Sequence, residues 1–197
     1  MDELTLVEVS EAHAVAIADY RAEFPAGRMR VTPDPERIPG LDALEDHDSV
    51  SAWLAYCASM RGKITWYVSV RRGDGRIVGC LCLRHRLEYD DDDAEFASHI
   101  GYSIRPSERR RGYAREQLRL GLLRAKALGL ERARLVCRDV NAASNRTILA
   151  NAQRSPFICL FALTRHKVDD LIGAFGVKLP GVGMNRKSTR LNSSHSV

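Results

Sequence analysis

Two β-rich runs, ITWYVSVRR (64–72) and RIVGCLCLRH (76–85), are separated by only Gly73-Asp74-Gly75. A short Asp-Gly connection between runs rich in Val, Ile, Tyr and Trp predicts an antiparallel hairpin, so the chain must build a sheet around that pair. The flanking segments supply the rest. LTLVEVS (4–10) reads as a short strand, and Ala12 to Phe24 as a helix stopped by Pro25. Residues 28–40 hold three prolines and form a loop, and DSVSAWLAYCASM (48–60) spaces Val50, Trp53, Leu54 and Cys57 as a helix does. ASHIGYSIR (97–105) predicts a strand ending at Pro106, and Ala114, Leu118, Leu122 and Ala125 mark one face of a helix that ends at Gly129. ARLVC (133–137) is a strand, and Asn141 caps a helix to Asn151. The order β-α-α-β-β-β-α-β-α specifies an α+β fold with no visible repeat.

At 197 residues and 45% apolar content, the chain can bury an ordinary core and is most simply one domain. The opening Met1-Asp2-Glu3-Leu4 is acidic where a secretory signal is basic, and the longest apolar run, Phe157 to Leu163, is far short of the roughly 20 residues that span a bilayer. Five cysteines without a C-x-x-C pair are expected to be reduced and mostly buried, in a cytoplasmic protein. Charge is segregated along the chain: residues 1–100 carry 11 Lys/Arg against 19 Asp/Glu, residues 101–197 carry 19 against 6. The second half therefore calls for an anionic ligand.

That charge concentrates in SERRRGYAREQL (107–118), between a strand and an amphipathic helix. The backbone N–H groups of a helix start lack intrahelical acceptors, and the helix dipole adds positive potential there. Anions bind such places. Gly112 lets a phosphate approach the backbone without a Cβ in the way, and Ala114 keeps the next turn close. The stretch has neither the Gly-Lys-Ser/Thr of a Walker loop nor the repeated glycines of a dinucleotide fingerprint.

Arg109-Arg110-Arg111-Gly112-Tyr113-Ala114 resembles the Arg/Gln-x-x-Gly-x-Gly/Ala signature of the GCN5-related N-acetyltransferases, preceded as in that family by Ile104-Arg105-Pro106. RHRL (84–87) and HIGYSIRPSERRRGYA (99–114) further resemble a bacterial subgroup of acetyltransferases, and the likeness covers Leu4 to Asn151. It implies a mixed, mostly antiparallel sheet flanked by helices and splayed between two parallel strands, and transfer of acetyl from acetyl-CoA to a primary amine by direct attack. Loop amides from Arg110 to Ala114 would bind the pyrophosphate, and Arg109, Arg111 and Arg115 would add charge. The backbone of Ile104 would pair with the pantetheine arm, which Asn141 and Ser144 would touch from the other side.

Direct attack needs a deprotonated amine, and an alkylammonium of pKa ~10.4 is almost wholly protonated at neutral pH. The family's glutamate base falls at Ser98, so His99, acting directly or through a water, and then Glu95 are the candidate bases. The oxyanion would meet a strand N–H near Ser103 or Ile104. The family's thiolate-protonating tyrosine falls at Ile148; a thiol of pKa ~8.5 still leaves tolerably. The expected partner is a small-molecule or peptide amine, with neither nucleic acid nor membrane, and a homodimer left open.

Other stretches are weighed against plainer readings. YDDDDAEF (89–96) could attract a cationic amine or form a solvated loop. Cys80 and Cys82 share one strand face, which is packing, since no His or Cys lies at ligand spacing. Arg111-Gly112-Tyr113-Ala114 matches the start of an RNP1 motif, but Arg115-Glu116 enters a helix where that motif needs a strand. A non-catalytic acetyl-CoA-binding or interaction domain is the main alternative. Finally, Ala152 to Pro156 replaces the family's Gly-Gly turn, and RKSTRLNSSH (186–195) resembles the translation of a sequencing-library adapter. The domain is thus expected over 1–151 with its last strands missing or replaced and 152–197 non-native, although 157–163 could still pair as a strand.

Overall fold

The computed structural model describes residues 3–24, 37–87, 98–138, 140–155 and 158–162, the last span by its backbone. Nine elements follow in the expected order: β1 (Leu4–Glu8), α1 (Ala14–Ala22), α2 (Val50–Ser59), β2 (Ile64–Arg71), β3 (Ile77–Arg84), β4 (Ile100–Ile104), α3 (Tyr113–Ala127), β5 (Ala133–Cys137) and α4 (Ala142–Ala152), and a further strand, β6 (Ile158–Ala162), lies within the apolar run at 157–163. Strands β1 to β4 form an antiparallel sheet in sequence order, and β5 and β6 a separate parallel pair. The mostly antiparallel sheet expected from the resemblance is therefore present, with β4 and β5 splayed apart along most of their length. No ladder joins β4 to β5 among the described residues.

The Gly73-Asp74-Gly75 hairpin is closed by the Arg71 N–H donating to the Arg76 carbonyl at 2.9 Å, with Gly75 at φ +70°. Both faces of β3 are covered, which is why IVGCLCL is buried throughout. One face meets α1 and α2 through Ile17, Tyr20, Trp53, Cys57, Cys80 and Cys82. The other meets α3 and α4 through Leu81, Leu83, Leu118, Leu122, Ala125 and Ile148. The α3 stripe read from the sequence thus faces the core, with Ala114 only partly covered.

Helix α3 sits unusually close to the sheet. A Cβ added at Gly121 would lie 2.6 Å from Leu81 Cδ1. Gln117, wholly buried, donates from Nε2 to the Cys80 carbonyl at 2.7 Å and pins the helix to β3. Cys57, Cys80, Cys82 and Cys137 are buried and unbridged, and burial pushes the Cys57 thiol up to about 12. Among the described residues no helix is long and apolar enough to cross a membrane, and no group of three or more His, Cys, Asp or Glu could hold a metal.

Candidate functional site

β4 leads directly into the arginine-rich loop, and its ladder with β3 decides which backbone groups are free. The Arg105 N–H donates to the Val78 carbonyl and the Arg84 N–H to the His99 carbonyl. With Gly79 opposite Ile104 and Cys80 opposite Ser103, the backbone groups of Arg105, Ser103 and Gly101 turn toward β3. Those of Tyr102 and Ile104 turn toward the gap before β5. The oxyanion donor sought near Ser103 or Ile104 is thus restricted by the alternation of the ladder: Ser103 spends its amide inside the sheet, while Tyr102 and Ile104 present theirs to the opening.

The loop beyond is pinned at both flanks. Arg105, 2% exposed, donates from Nε to the Ile77 carbonyl at 2.9 Å and from Nη1 to Asp19 and Glu23 at 2.8 Å each. Ser107 N–H donates to Glu23 as well. Burial works to raise the Glu23 carboxyl, but Ser107 and Arg105 outweigh it and hold it below the usual range. Arg109 donates to the Ile104 carbonyl at 3.2 Å and lies over the Phe24 ring.

On the other flank Glu108, 5% exposed, accepts from Arg71 at 2.9 Å and Arg111 at 2.6 Å, with Arg76 at 3.3 Å. Between these anchors Arg110 (φ +64°) and Gly112 (φ +84°) both take the left-handed backbone. That conformation costs a non-glycine residue roughly 1–2 kcal/mol, so the turn at Arg110 persists only because its surroundings hold it. Closely spaced left-handed residues in such a turn can aim successive N–H groups into one concavity suited to an anion. The α3 ladder begins with Arg115 and Glu116 donating to the Gly112 carbonyl. Arg110, Arg115 and Gly112 are exposed, and Tyr113 is buried beneath Leu4, Val78 and Ile104.

The gap narrows at the opposite end of β4. His99 N–H donates to the Arg134 carbonyl and Arg134 N–H donates to His99 Nδ1, each at 2.9 Å. The Ser98 hydroxyl bonds the Ile100 carbonyl at 3.0 Å and has longer contacts of 3.4 Å with the Arg134 carbonyl and the Val136 N–H. The two side chains thereby stand in for the missing ladder. Because Nδ1 accepts a backbone N–H, the neutral His99 ring carries its proton on Nε2 and has no free lone pair for abstracting another. Burial, and then the Arg134 and Arg84 charges, hold its pKa below the ordinary imidazole value. This geometry gives His99 the work of a clamp. Glu95 and the aspartate run lie outside the described residues.

Across the gap, Asn141 Oδ1 accepts the Ser144 N–H at 3.1 Å as the α4 cap, and the Ser144 hydroxyl pairs with Tyr102 Oη at 2.9 Å. Burial raises the Tyr102 phenol. Ile148 is buried in the core. On the other face of β4, the Arg84 guanidinium joins the Asp42 carboxylate and donates to the Ser98 carbonyl at 2.9 Å. A Cβ added at Gly101 would lie 2.9 Å from Cys82 Sγ. Sequence reading did not single out Tyr102, Asp42 or Glu108. Tyr102 alone carried a signal, standing two residues before Ile104 on the same side of a strand.

A family model described as an acetyltransferase (GNAT) domain matches residues 3–152. No curated protein sequence matches the chain. Among solved structures, one from Vibrio cholerae assigned as a ribosomal-protein-serine acetyltransferase superposes with TM-score 0.53 at 16% identity, covering 76% of this chain and 79% of that one. RimL, a ribosomal L7/L12 alpha-N-protein acetyltransferase in complex with coenzyme A, gives 0.49 at 18% identity, covering 75% and 78%. Ribosomal-protein-S5-alanine acetyltransferase from Vibrio fischeri gives 0.44 at 16% identity, covering 89% and 80%. At these identities the likeness speaks to fold alone, and the first of the three carries it.

Proposed function

The chain belongs to the GNAT acetyltransferase family, and from that premise we propose that it transfers the acetyl group of acetyl-CoA to a primary amine in a ternary complex. The observation that carries this reading is the continuity between the β4–β5 gap and the loop at Arg110–Gly112. A gap lined by outward-facing strand amides opens at its wide end onto a left-handed, arginine-flanked helix start. Such a path fits a ligand with an extended amide-bearing arm and a diphosphate at one end. The absence of a Cβ at Gly112, together with exposed Arg110 and Arg115, suits the diphosphate.

In the reaction the amine nitrogen attacks the thioester carbonyl carbon and the C–S bond breaks. Starting from the ammonium form the nitrogen loses two protons, one before attack and one from the tetrahedral intermediate; the CoA thiolate takes up one and the base passes the other to solvent. As negative charge grows on the carbonyl oxygen, the N–H groups of Tyr102 and Ile104 are the backbone donors able to face it. The Tyr102 phenol, kept protonated by burial and paired with Ser144, fits the role of supplying a proton to the thiolate, which Ile148 cannot do. With His99 Nδ1 engaged by the Arg134 N–H, Glu95, the second candidate base, takes the role of receiving the amine's proton in this reading. Protein or peptide amines are a natural first set of acceptors, because the Vibrio cholerae structure named above is assigned as a ribosomal-protein-serine acetyltransferase.

The engagement of His99 and Ser98 in clamping the sheet also favours a second reading, a domain that binds acetyl-CoA without turning it over. Free-thiol release over a panel of primary amines and short peptides, beside calorimetric titration with acetyl-CoA, separates the two. Binding with thiol release on any amine supports transfer, and binding without release on all of them supports the second reading. Gly112→Glu, compared with Gly112→Asn as an uncharged residue that tolerates left-handed backbone, should weaken acetyl-CoA binding at least tenfold, about 1.4 kcal/mol. Equal affinity in the Glu and Asn variants would overturn the assignment of the loop.

A further inference from the structure

The carboxylate of Glu108 sits where Coulomb's law would not put one if the loop's only task were to attract an anion. It lies one residue before Arg109-Arg110-Arg111, is almost wholly buried, and has both oxygens occupied: Oε1 by Arg76 Nε at 3.3 Å, Oε2 by Arg71 Nη1 at 2.9 Å and Arg111 Nη1 at 2.6 Å. Arg71 reaches further, donating to Tyr113 Oη at 3.3 Å and to both oxygens of Asp74 at 2.8 and 2.6 Å. These side chains come from two places far apart in the sequence, the β2–β3 hairpin and the turn around Gly112. Through Arg71 the hairpin grips the turn at Glu108 before it and at Tyr113 after it. The left-handed Arg110 lies between those two grips.

Resting on the acetyl-transfer reading above, we propose that Glu108 is a positioning residue for the diphosphate site, holding the loop in its anion-ready shape by tying Arg111 to the arginines of the β2–β3 hairpin. Its contribution is geometric and opposes its own charge. A buried carboxylate beside a bound diphosphate repels it, so Coulomb energy alone predicts tighter binding when Glu108 is neutralised and unchanged binding when its charge is kept. A positioning role predicts the reverse in the first case and a loss in the second. An amide at 108 places N–H donors against guanidinium donors and releases the loop, and an aspartate keeps the charge but falls short of the three arginines.

The experiment measures acetyl-CoA dissociation constants by calorimetry for wild type, Glu108→Gln and Glu108→Asp, with acetyl-pantetheine, which lacks the diphosphate, titrated by NMR on the same proteins. Acetyl-CoA binding should weaken about tenfold in Glu108→Gln and several-fold in Glu108→Asp, with acetyl-pantetheine affinity unchanged in both. A defect that is merely structural would weaken both ligands together and overturns the proposal, as does acetyl-CoA binding that is equal or tighter in the two variants. If Glu108→Gln does not fold, the aspartate variant alone decides, because charge and positioning still predict different outcomes for it. A wild-type protein that binds neither ligand sinks the acetyl-transfer reading itself, which is distinguishable from a wild type that binds and variants that bind equally well.

Discussion

His99 shows how one atom's occupancy redirects a residue's role. Its imidazole suits a base by intrinsic pKa, yet Nδ1 is filled by the Arg134 N–H and the ring is held neutral by burial and by two neighbouring arginines. The linkage has a definite sign. A folded pKa below the unfolded value near 6.5 means that the unfolded chain takes up the proton first, so stability is full above pH 6.5 and is lost as pH falls through the folded value. The wild type should therefore lose melting temperature between pH 7 and 5, and His99→Asn, whose Oδ1 can accept the same N–H without titrating, should flatten that fall. Equal slopes would show that the clamp does not titrate in that window. Glu23 and Glu116, both held below the usual carboxylate range, lose their stabilisation in a more acidic window. The imidazole's partner could not be read from the sequence, because it is a backbone N–H on a strand 35 residues away. The Asn141 cap could, because its acceptor and the Ser144 N–H are three residues apart.

Among elements, α3 illustrates what periodicity carries and what it omits. The spacing of Leu118, Leu122 and Ala125 identifies the buried face, and Gly129 (φ +83°) marks its end, both visible in the sequence. The closeness of the helix to β3 is not visible, since Gly121 alone reads as a helix weakness. In an exposed helix, replacing such a glycine would gain up to about 1 kcal/mol. Here the space for a side chain is already filled by Leu81, itself fully buried. Overpacking of this kind costs about 1–3 kcal/mol, so Gly121→Val should lower the melting temperature by roughly 3–10 °C. A rise in melting temperature would mean that α3 can move off the sheet. The hairpin was equally plain from Gly73-Asp74-Gly75, whereas the Glu108 cluster it serves joins residues 37 positions apart and leaves no local pattern. The same holds for the left-handed Arg110, where sequence logic points to glycine and finds it only two residues later.

For the whole molecule, the division into a four-stranded antiparallel sheet and a two-stranded parallel pair matters most. The family resemblance implied the splay, but the parallel register of β6 on β5, Ala133 opposite Ile158, depends on a crossover through α4 that pattern alone does not specify. The two sheets share the Ser98, His99 and Arg134 contacts at one end and the α3–α4 layer behind them. Ligand occupancy of the gap should therefore slow amide hydrogen exchange in β5 as well as in β4, measured with and without acetyl-CoA. Protection confined to β4 would indicate that the pair behind β5 is already rigid.

The wedge-shaped seam has a mechanical consequence. A guest lying along Tyr102 and Ile104 would act as a surrogate strand, sewing shut a seam that β4 and β5 leave unzipped, so that this part of the protein becomes architecturally whole only while it is loaded.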